Sequence, residues 1–323
     1  MRLGLDIGGT KTDAVAVDAA GVVVDRIRLV TGFGPDAVIR TALEGIDRIA
    51  AAVGLTPSDV ETIGIGIPGQ VDVGTGSVSH AVNLGFDELE VGGLLARALG
   101  REVKVENDVK AAALGAYHLM TAGVPEGAPR SMAYLNLGTG LAAGLVIDGA
   151  LWRGARGAAG EIGHIPVDPG GVLCPCGQRG CLETVASGSA IARQWATDDP
   201  IPARSLLAAA EAGDEGARAI RSLLVDNVAA AVRVLVLTVD VETVMIGGGL
   251  SNLGAWLLDE VKRVLASWAG ESPFLASLEL DTRVQLVPAG FPAAAVGAAL
   301  VGAPATRPSG APAGEKRVAT WQK

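Results

Sequence analysis

Aromatic side chains are scarce in this chain, at 3% of 323 residues, and cysteine occurs three times. With so few rings the interior must be built from aliphatic side chains, and a hydrophobic fraction of 49% supplies them. Three cysteines do not make a disulfide framework, so a reducing, cytoplasmic setting is expected. Positive charge is also short: the formal net charge is −9. That argues against a nucleic-acid partner, for which a basic face would be expected. Long apolar runs are missing too. The longest, Val228 to Val239, is broken by Arg233 and falls short of the ~18–20 residues that span a bilayer. The chain opens as a strand at Arg2, without a signal-peptide pattern. Neither a membrane nor a nucleic acid is expected as a partner.

What is present is concentrated. All three cysteines fall between positions 174 and 181, and one of the three histidines stands ten residues upstream. The order His164, Cys174, Cys176, Cys181 is H-x9-C-x-C-x4-C, the ligand set of a closed tetrahedral structural zinc site. Pro175, Gly177 and Gly180 suit the tight turns of such a knuckle, because glycine reaches positive φ and proline fixes its own. Three buried free thiols are the plainer reading, but that would not explain their crowding into eight positions.

Glycine, with 45 residues, is the other concentrated feature. Leu3 to Val17 reads as strand, turn, strand around Asp6-Ile-Gly8-Gly9-Thr10-Lys11, and a third strand is expected from Val22 to Leu29. The turn opens no helix, so it is neither a P-loop nor a dinucleotide fingerprint. It fits a plain hairpin or a phosphate-facing turn equally well. The grammar recurs at Tyr134 to Gly149 around Gly138-Thr139-Gly140. A third cluster, Gly247-Gly248-Gly249, lies between an apolar strand and a helical stretch from about Leu253 to Trp268, where a base and ribose could pack against backbone. Together these outline a nucleotide cleft with a turn on either side.

Placed in order, the motifs resemble the ROK family of kinases and repressors, within the actin-like ATPase superfamily. The matching pieces are Leu5-Asp6-Ile-Gly-Gly-Thr-Lys11, Gly66-Ile-Pro68-Gly69, Glu106-Asn107-Asp108 with Ala111 to Gly115, and Leu137-Gly-Thr-Gly140. Gly157-Ala-Ala-Gly-Glu161-Ile-Gly-His164, Cys174-x-Cys-Gly-x-x-Gly-Cys181-Leu-Glu183 and Ile246-Gly-Gly-Gly249 complete them. Two departures stand out. Ala142-Ala143 replaces common glycines, which would reshape the second phosphate turn. Val109-Lys110 follows Asp108 where small or polar residues are usual.

The resemblance implies residue roles. Asp108 matches the catalytic base set against the sugar hydroxyl, although Asn107 or Asp108 could equally cap the helix expected from about Val109. A helix N-terminus lowers a carboxylate's pKa; a loose phosphoryl-transfer transition state does not require a strong base. Asn107, Glu161, His164 and Glu183 match sugar-binding positions, with Gly69 and Asn83 beside them. One His164 nitrogen could bind zinc while the other donates to sugar. Asp6 matches a Mg²⁺ site, with strand-end packing as its plainer role. Gly8, Gly9, Thr10, Lys11, Gly138, Thr139, Gly248 and Gly249 would line the nucleotide, and Lys11 could equally be a solvated surface lysine. His80, in a turn-like stretch, and His118, late on a helix, are given solvent or capping roles.

The implied fold class is α/β: a two-domain actin-like ATPase (ribonuclease H-like) fold with a central cleft and a structural zinc loop. Residues 1–107 form the smaller domain, with a helix near Asp36–Val53, a strand at Thr62–Ile67 and a helix near Gly92–Leu99. Residues 108–290 form the larger, with a long buried helix at 216–238. Helix 291–301 returns to the first domain, and 303–323 reads as a disordered tail. The expected activity is transfer of the ATP γ-phosphate to the 6-hydroxyl of a hexose, glucose most simply, using Mg²⁺ and a structural Zn²⁺. N-acetylglucosamine or N-acetylmannosamine is the alternative acceptor, polyphosphate the alternative donor, and a homodimer the implied assembly. A non-catalytic sugar-sensing protein is the alternative of another class. Repressors of the family carry an N-terminal DNA-binding extension, whereas here the first strand starts at residue 2.

Overall fold

The structure is a computed structural model and describes residues 1–124 and 128–301. The tail expected at 303–323 lies outside the described residues.

Two five-stranded sheets organise the chain, and they repeat one topology. The first contains β1 (Arg2–Ile7), β2 (Lys11–Val17), β3 (Val23–Val30), β4 (Thr62–Ile67) and, later in the chain, a strand at Lys104–Asn107, in the order β3-β2-β1-β4 and then that strand. Between them come α1 (Pro35–Ala52), then the small antiparallel sheet of β5 (Gln70–Asp72), β6 (Ser77–Ala81) and β7 (Phe86–Leu89), then α2 (Val91–Leu99); the Lys104–Asn107 strand is β8. α3 (Asp108–Thr121) follows without a gap. The second sheet contains β9 (Ser131–Leu137), β10 (Leu141–Ile147), β11 (Ala150–Trp152), β12 (Thr243–Gly247) and β13 (Val284–Leu286) in the order β11-β10-β9-β12-β13. In both sheets the first three strands are an antiparallel meander, and the last two join parallel.

Between β11 and β12 lie the cysteine-bearing loop and three helices, α4 (Gly188–Gln194), α5 (Pro202–Glu211) and α6 (Glu215–Val239). α7 (Ala255–Glu271), α8 (Pro273–Ala276) and α9 (Ala293–Val301) complete the chain. By length and composition α6 could cross a membrane, but Leu224, Val228, Val232 and Leu235 on it are buried in the core of the second sheet.

Alternation in the first sheet explains its layers. In β1 and β4, Leu3, Leu5, Ile7, Ile63, Ile65 and Ile67 point to one face and are fully buried with Ile46, Ile49 and Leu95 from α1 and α2. Each such side chain contributes about 1.5–3 kcal/mol on burial. The alternate residues, Gly4, Gly64, Gly66 and Asp6, share the other face. The glycines let α9 and α3 press onto backbone: a Cβ at Gly4 would stand 2.0 Å from Ala295 O, and one at Gly64 1.9 Å from Ala298 O. α9 therefore packs on β1 and β4, and equally on α3, where Gly297 and Ala111 O leave no room for a Cβ.

Candidate active site

The two glycine turns close corresponding hairpins. Gly8 N donates to Lys11 O at 2.9 Å between β1 and β2, and Gly138 N donates to Gly140 O at 3.0 Å between β9 and β10. Parallel strands β4 and β8 end beside the first turn, and at the end of β8 the chain passes directly into α3. Asn107 caps that helix: its Oδ1 accepts from Val109 N and Lys110 N, both at 3.1 Å. Its Nδ2 donates to Gly69 O at 3.1 Å. The residue expected to donate and accept toward a sugar thus keeps only one N–H free.

Asp108 is the first residue of α3, and it lines two cavities at once. One, of about 610 Å³, also collects Gly69, Asn83, Asn107, Glu161, His164 and Glu183. These are all the residues expected at the acceptor. The other, of about 480 Å³, collects Asp6, Lys11, Gly248 and Gly249. Gly8, Gly9, Thr10, Gly138 and Thr139 stand in hairpin turns outside the walls of both cavities. The Gly138 and Thr139 carbonyls accept from Gly188 N and Ser189 N, which docks the second turn on the start of α4.

Burial decides the electrostatics. It raises the Asp108 carboxyl above its ordinary value, and the Val109 N–H, the Asp108 N–H and Lys110 only partly offset this. The lowering expected from the helix terminus is present but is outweighed. Burial likewise raises Asp6 to about 7, assisted by the charges of Asp108 and Asp13. A half-buried carboxyl whose ionisation is discouraged by the charge of a second carboxylate is a natural seat for a divalent cation. Asp6, on the glycine face of β1 and in the second cavity, fits Mg²⁺ on that ground.

Glu183 accepts from Leu141 N at 2.9 Å, and a Cβ at Gly140 would stand 2.3 Å from its Oε2. Gly140 is thus the residue that lets this carboxylate reach the cavity. Glu161 precedes the short 3₁₀ turn Ile162–His164, and His164 is its last residue. His164 Nδ1 faces Cys174 Sγ at 3.8 Å, and Cys176 Sγ lies 3.6 Å from Cys181 Sγ. Tetrahedral zinc with bonds of about 2.3 Å to sulfur separates sulfurs by roughly 3.8 Å. All four ligand atoms lie within 4.8 Å of one another, so the Cys3His cluster is compatible with a structural zinc site. Gly177 and Gly180 adopt φ of 91° and 67° in that loop. Hydrogen bonds from Gln178 pull the Cys176 thiol down to about 6, whereas burial pushes Cys181 up to about 12. A metal would have to displace the proton from the latter.

The structure refines several expectations. His80 belongs to strand β6 and not to a turn, at φ 59°; it is solvent-exposed as expected and also borders the acceptor-side cavity. His118 packs against Gly21, where a Cβ would come within 2.2 Å of its ring. Ala142 and Ala143 stand on β10, just beyond the turn that closes at Gly140, in the wall of the acceptor-side cavity. Sequence reasoning missed Arg153 and Glu106 in the same cavity. Glu106 Oε1 accepts from Asn107 N at 3.0 Å, and its Oε2 accepts from Arg153 Nε at 2.7 Å. It also missed Arg26 and Arg28, both paired with Asp13 in the second cavity. These pairs join residues far apart in sequence or across strand registers, and no local spacing announces them.

Twin sheets of one topology, with two cavities meeting at the start of α3, define a two-domain actin-like ATPase fold. The ROK family model matches residues 2–302, and the chain belongs to the ROK family. It is 34% identical over 286 residues to a glucokinase of Halalkalibacterium halodurans, covering 83% of this chain and 86% of that protein. Among solved structures, a ROK hexokinase from Thermus thermophilus shares 33% identity at a TM-score of 0.75, covering 93% of this chain and 96% of that one. A ROK family glucokinase from Streptomyces griseus, in complex with glucose and AMPPNP, shares 31% identity at a TM-score of 0.74, covering 92% and 97%. N-acetylmannosamine kinases and a xylose repressor are also among the relatives.

Proposed function

We propose that the protein is an ATP-dependent hexose kinase that phosphorylates the 6-hydroxyl of glucose. The observation that carries this reading is the position of Asp108, in the wall of both cavities. A carboxylate there can hold an acceptor hydroxyl from one side and face a phosphoryl group arriving from the other. Phosphoryl transfer needs positioning and charge stabilisation more than a strong nucleophile, and the base accepts its proton late. The raised Asp108 carboxyl is suited to that proton.

Asn83, Asn107, Glu161, His164, Glu183 and the Gly69 backbone would bind the sugar hydroxyls. Asp6, Lys11, Gly248 and Gly249 would face the nucleotide, with Gly8, Gly9, Thr10, Gly138 and Thr139 as turns that move onto the phosphates when the cleft closes. Asp6 would hold Mg²⁺, which neutralises charge on the transferred phosphoryl group. His164, Cys174, Cys176 and Cys181 would hold Zn²⁺, which fixes the angle of the His164 ring. The proposed division of the chain falls at 107/108, so the cap of α3 would sit at the hinge. A cytoplasmic location agrees with three thiols gathered for a metal.

The names of several relatives, glucokinase and hexokinase, favour glucose over an N-acetylhexosamine. An assay of ADP release over glucose, mannose, N-acetylglucosamine and N-acetylmannosamine tests the reading. The highest kcat/KM is expected with glucose and ATP. Preference for an acetamido sugar or for polyphosphate would replace the substrate, and inactivity with every pair would leave a sugar-binding protein.

A further inference from the structure

Lys110 lies one helical half-turn from Asp108 and is the lysine among the residues lining the acceptor-side cavity. Its side chain is 7% exposed, and its Nζ stands 3.8 Å from Glu161 Oε1. That distance allows charge attraction but is too long for a hydrogen bond. Glu161 is the carboxylate nearest this nitrogen among the described ion pairs. The nitrogen is not one of the buried atoms left without a partner, so the ammonium opens into the cavity with its three N–H donors available to a ligand.

The wall around it mixes carboxylate acceptors with neutral donors such as Asn83, Asn136 and His164, and Lys110 is the cation among them that no carboxylate holds in a hydrogen bond. Asp108, Glu161 and Glu183 present carboxylates to the cavity. Of the nearby donors, Arg153 is engaged by Glu106, and Asn107 has given one N–H to Gly69 O. A sugar hydroxyl donates one hydrogen but also carries lone pairs that need a donor. A carboxylate satisfies the first, and at the hydroxyl facing Glu161 the nearby Lys110 ammonium is placed to satisfy the second.

We propose that Lys110 determines acceptor specificity. Its ammonium donates to the oxygen of the same hexose hydroxyl whose hydrogen Glu161 accepts, so that the pair reads one hydroxyl from both sides. The proposal deepens the kinase reading and rests on it for turnover, but what it claims is a binding contact. A charged hydrogen bond of this kind is worth between about 10- and 100-fold in affinity.

The test crosses a side-chain deletion with substrate deletions. Affinities for glucose and for each monodeoxyglucose are measured calorimetrically without nucleotide, in the wild type, Lys110→Met and Lys110→Gln. In parallel, kcat and KM are taken from ADP release, with melting temperature as the check on folding. In the wild type, one monodeoxy sugar should bind about 10- to 100-fold more weakly than glucose. Lys110→Met should weaken glucose by a similar factor and that one sugar hardly at all, with the change in KM and not in kcat. Lys110→Gln, which keeps a donor, should recover part of the loss, and it carries the cycle alone if the Met variant does not fold. Equal weakening of every sugar, or unchanged glucose affinity, overturns the proposal. Hexose binding without turnover sinks the kinase reading and leaves the cycle decisive for Lys110; a chain that binds no hexose sinks both.

Discussion

Asp108 combines two duties that pull its carboxyl in opposite directions. As the first residue of α3 it accepts the Val109 N–H, which favours the anion, while burial favours the neutral acid and prevails. Asp108→Asn keeps the shape and one hydrogen-bonding oxygen but cannot take the acceptor's proton. We expect kcat to fall about 10²–10⁴-fold while glucose affinity stays within a few-fold; near-normal turnover in this variant would remove Asp108 from its role. Asp6 gives a separate signature. Its folded pKa of about 7 exceeds the ordinary 3.8, so the unfolded chain holds fewer protons across that interval. The stability it contributes is complete below about 3.8 and is lost as pH rises through 7. In metal-free protein the melting temperature should therefore decline between pH 4 and 7, and Asp6→Asn should flatten that decline. Mg²⁺ should restore more stability at pH 8 than at pH 5, which melting curves with and without the ion will show.

Elements were legible where a local pattern fixes them. The Ile-Gly alternation of Thr62–Ile67 gives a strand with one bulky and one bare face, and both faces are used as the period requires. The run of alanines after Phe291 reads as a helix, but its second partner does not. α9 lies against α3 as closely as against β1 because Gly115 and Gly297 sit where backbone atoms meet, and such a pairing leaves no periodic trace. Gly297→Ala places a Cβ 1.7 Å from Ala111 O, on backbone that cannot rotate away. Overpacking of this kind should cost about 1–3 kcal/mol or more. Gly270→Ala is the control: it lies within α7 with open space around it, and it should stabilise by about 0.4–1 kcal/mol. Chemical denaturation of both variants separates close approach from helix propensity; a harmless Gly297→Ala would contradict the packing.

At the scale of the whole molecule, the acceptor wall is assembled from both sheets, with the Cys3His cluster and an ion pair beside it. The cluster was legible because its four ligands lie within eighteen positions. Emptying the proposed zinc site, by chelation or Cys176→Ser, should raise the KM for glucose by loosening His164 while leaving kcat less affected; unchanged KM in metal-free protein would separate the cluster from the pocket, and freshly purified protein without zinc would remove the metal from the cluster. The ion pair was not legible, because its partners are 47 residues apart and belong to different sheets. Glu106 ends the first sheet with its side chain 2% exposed, and Arg153 follows β11 of the second. Glu106 also holds the Asn107 N–H, so the pair reaches the cap of α3 and through it the start of Asp108. Removing one partner of a buried pair costs about 3–5 kcal/mol, because the other charge is left without compensation. Arg153 is partly exposed, so Arg153→Met should fall at the low end of that range. Removing both charges, Glu106→Gln with Arg153→Met, should recover part of the stability, since no unpaired charge remains. Recovery of stability without recovery of kcat/KM would assign the pair to holding the two sheets in a reactive arrangement. If the double variant is no more stable than the single, the two residues act independently, and the connection between the sheets lies elsewhere, with α9 as the remaining candidate.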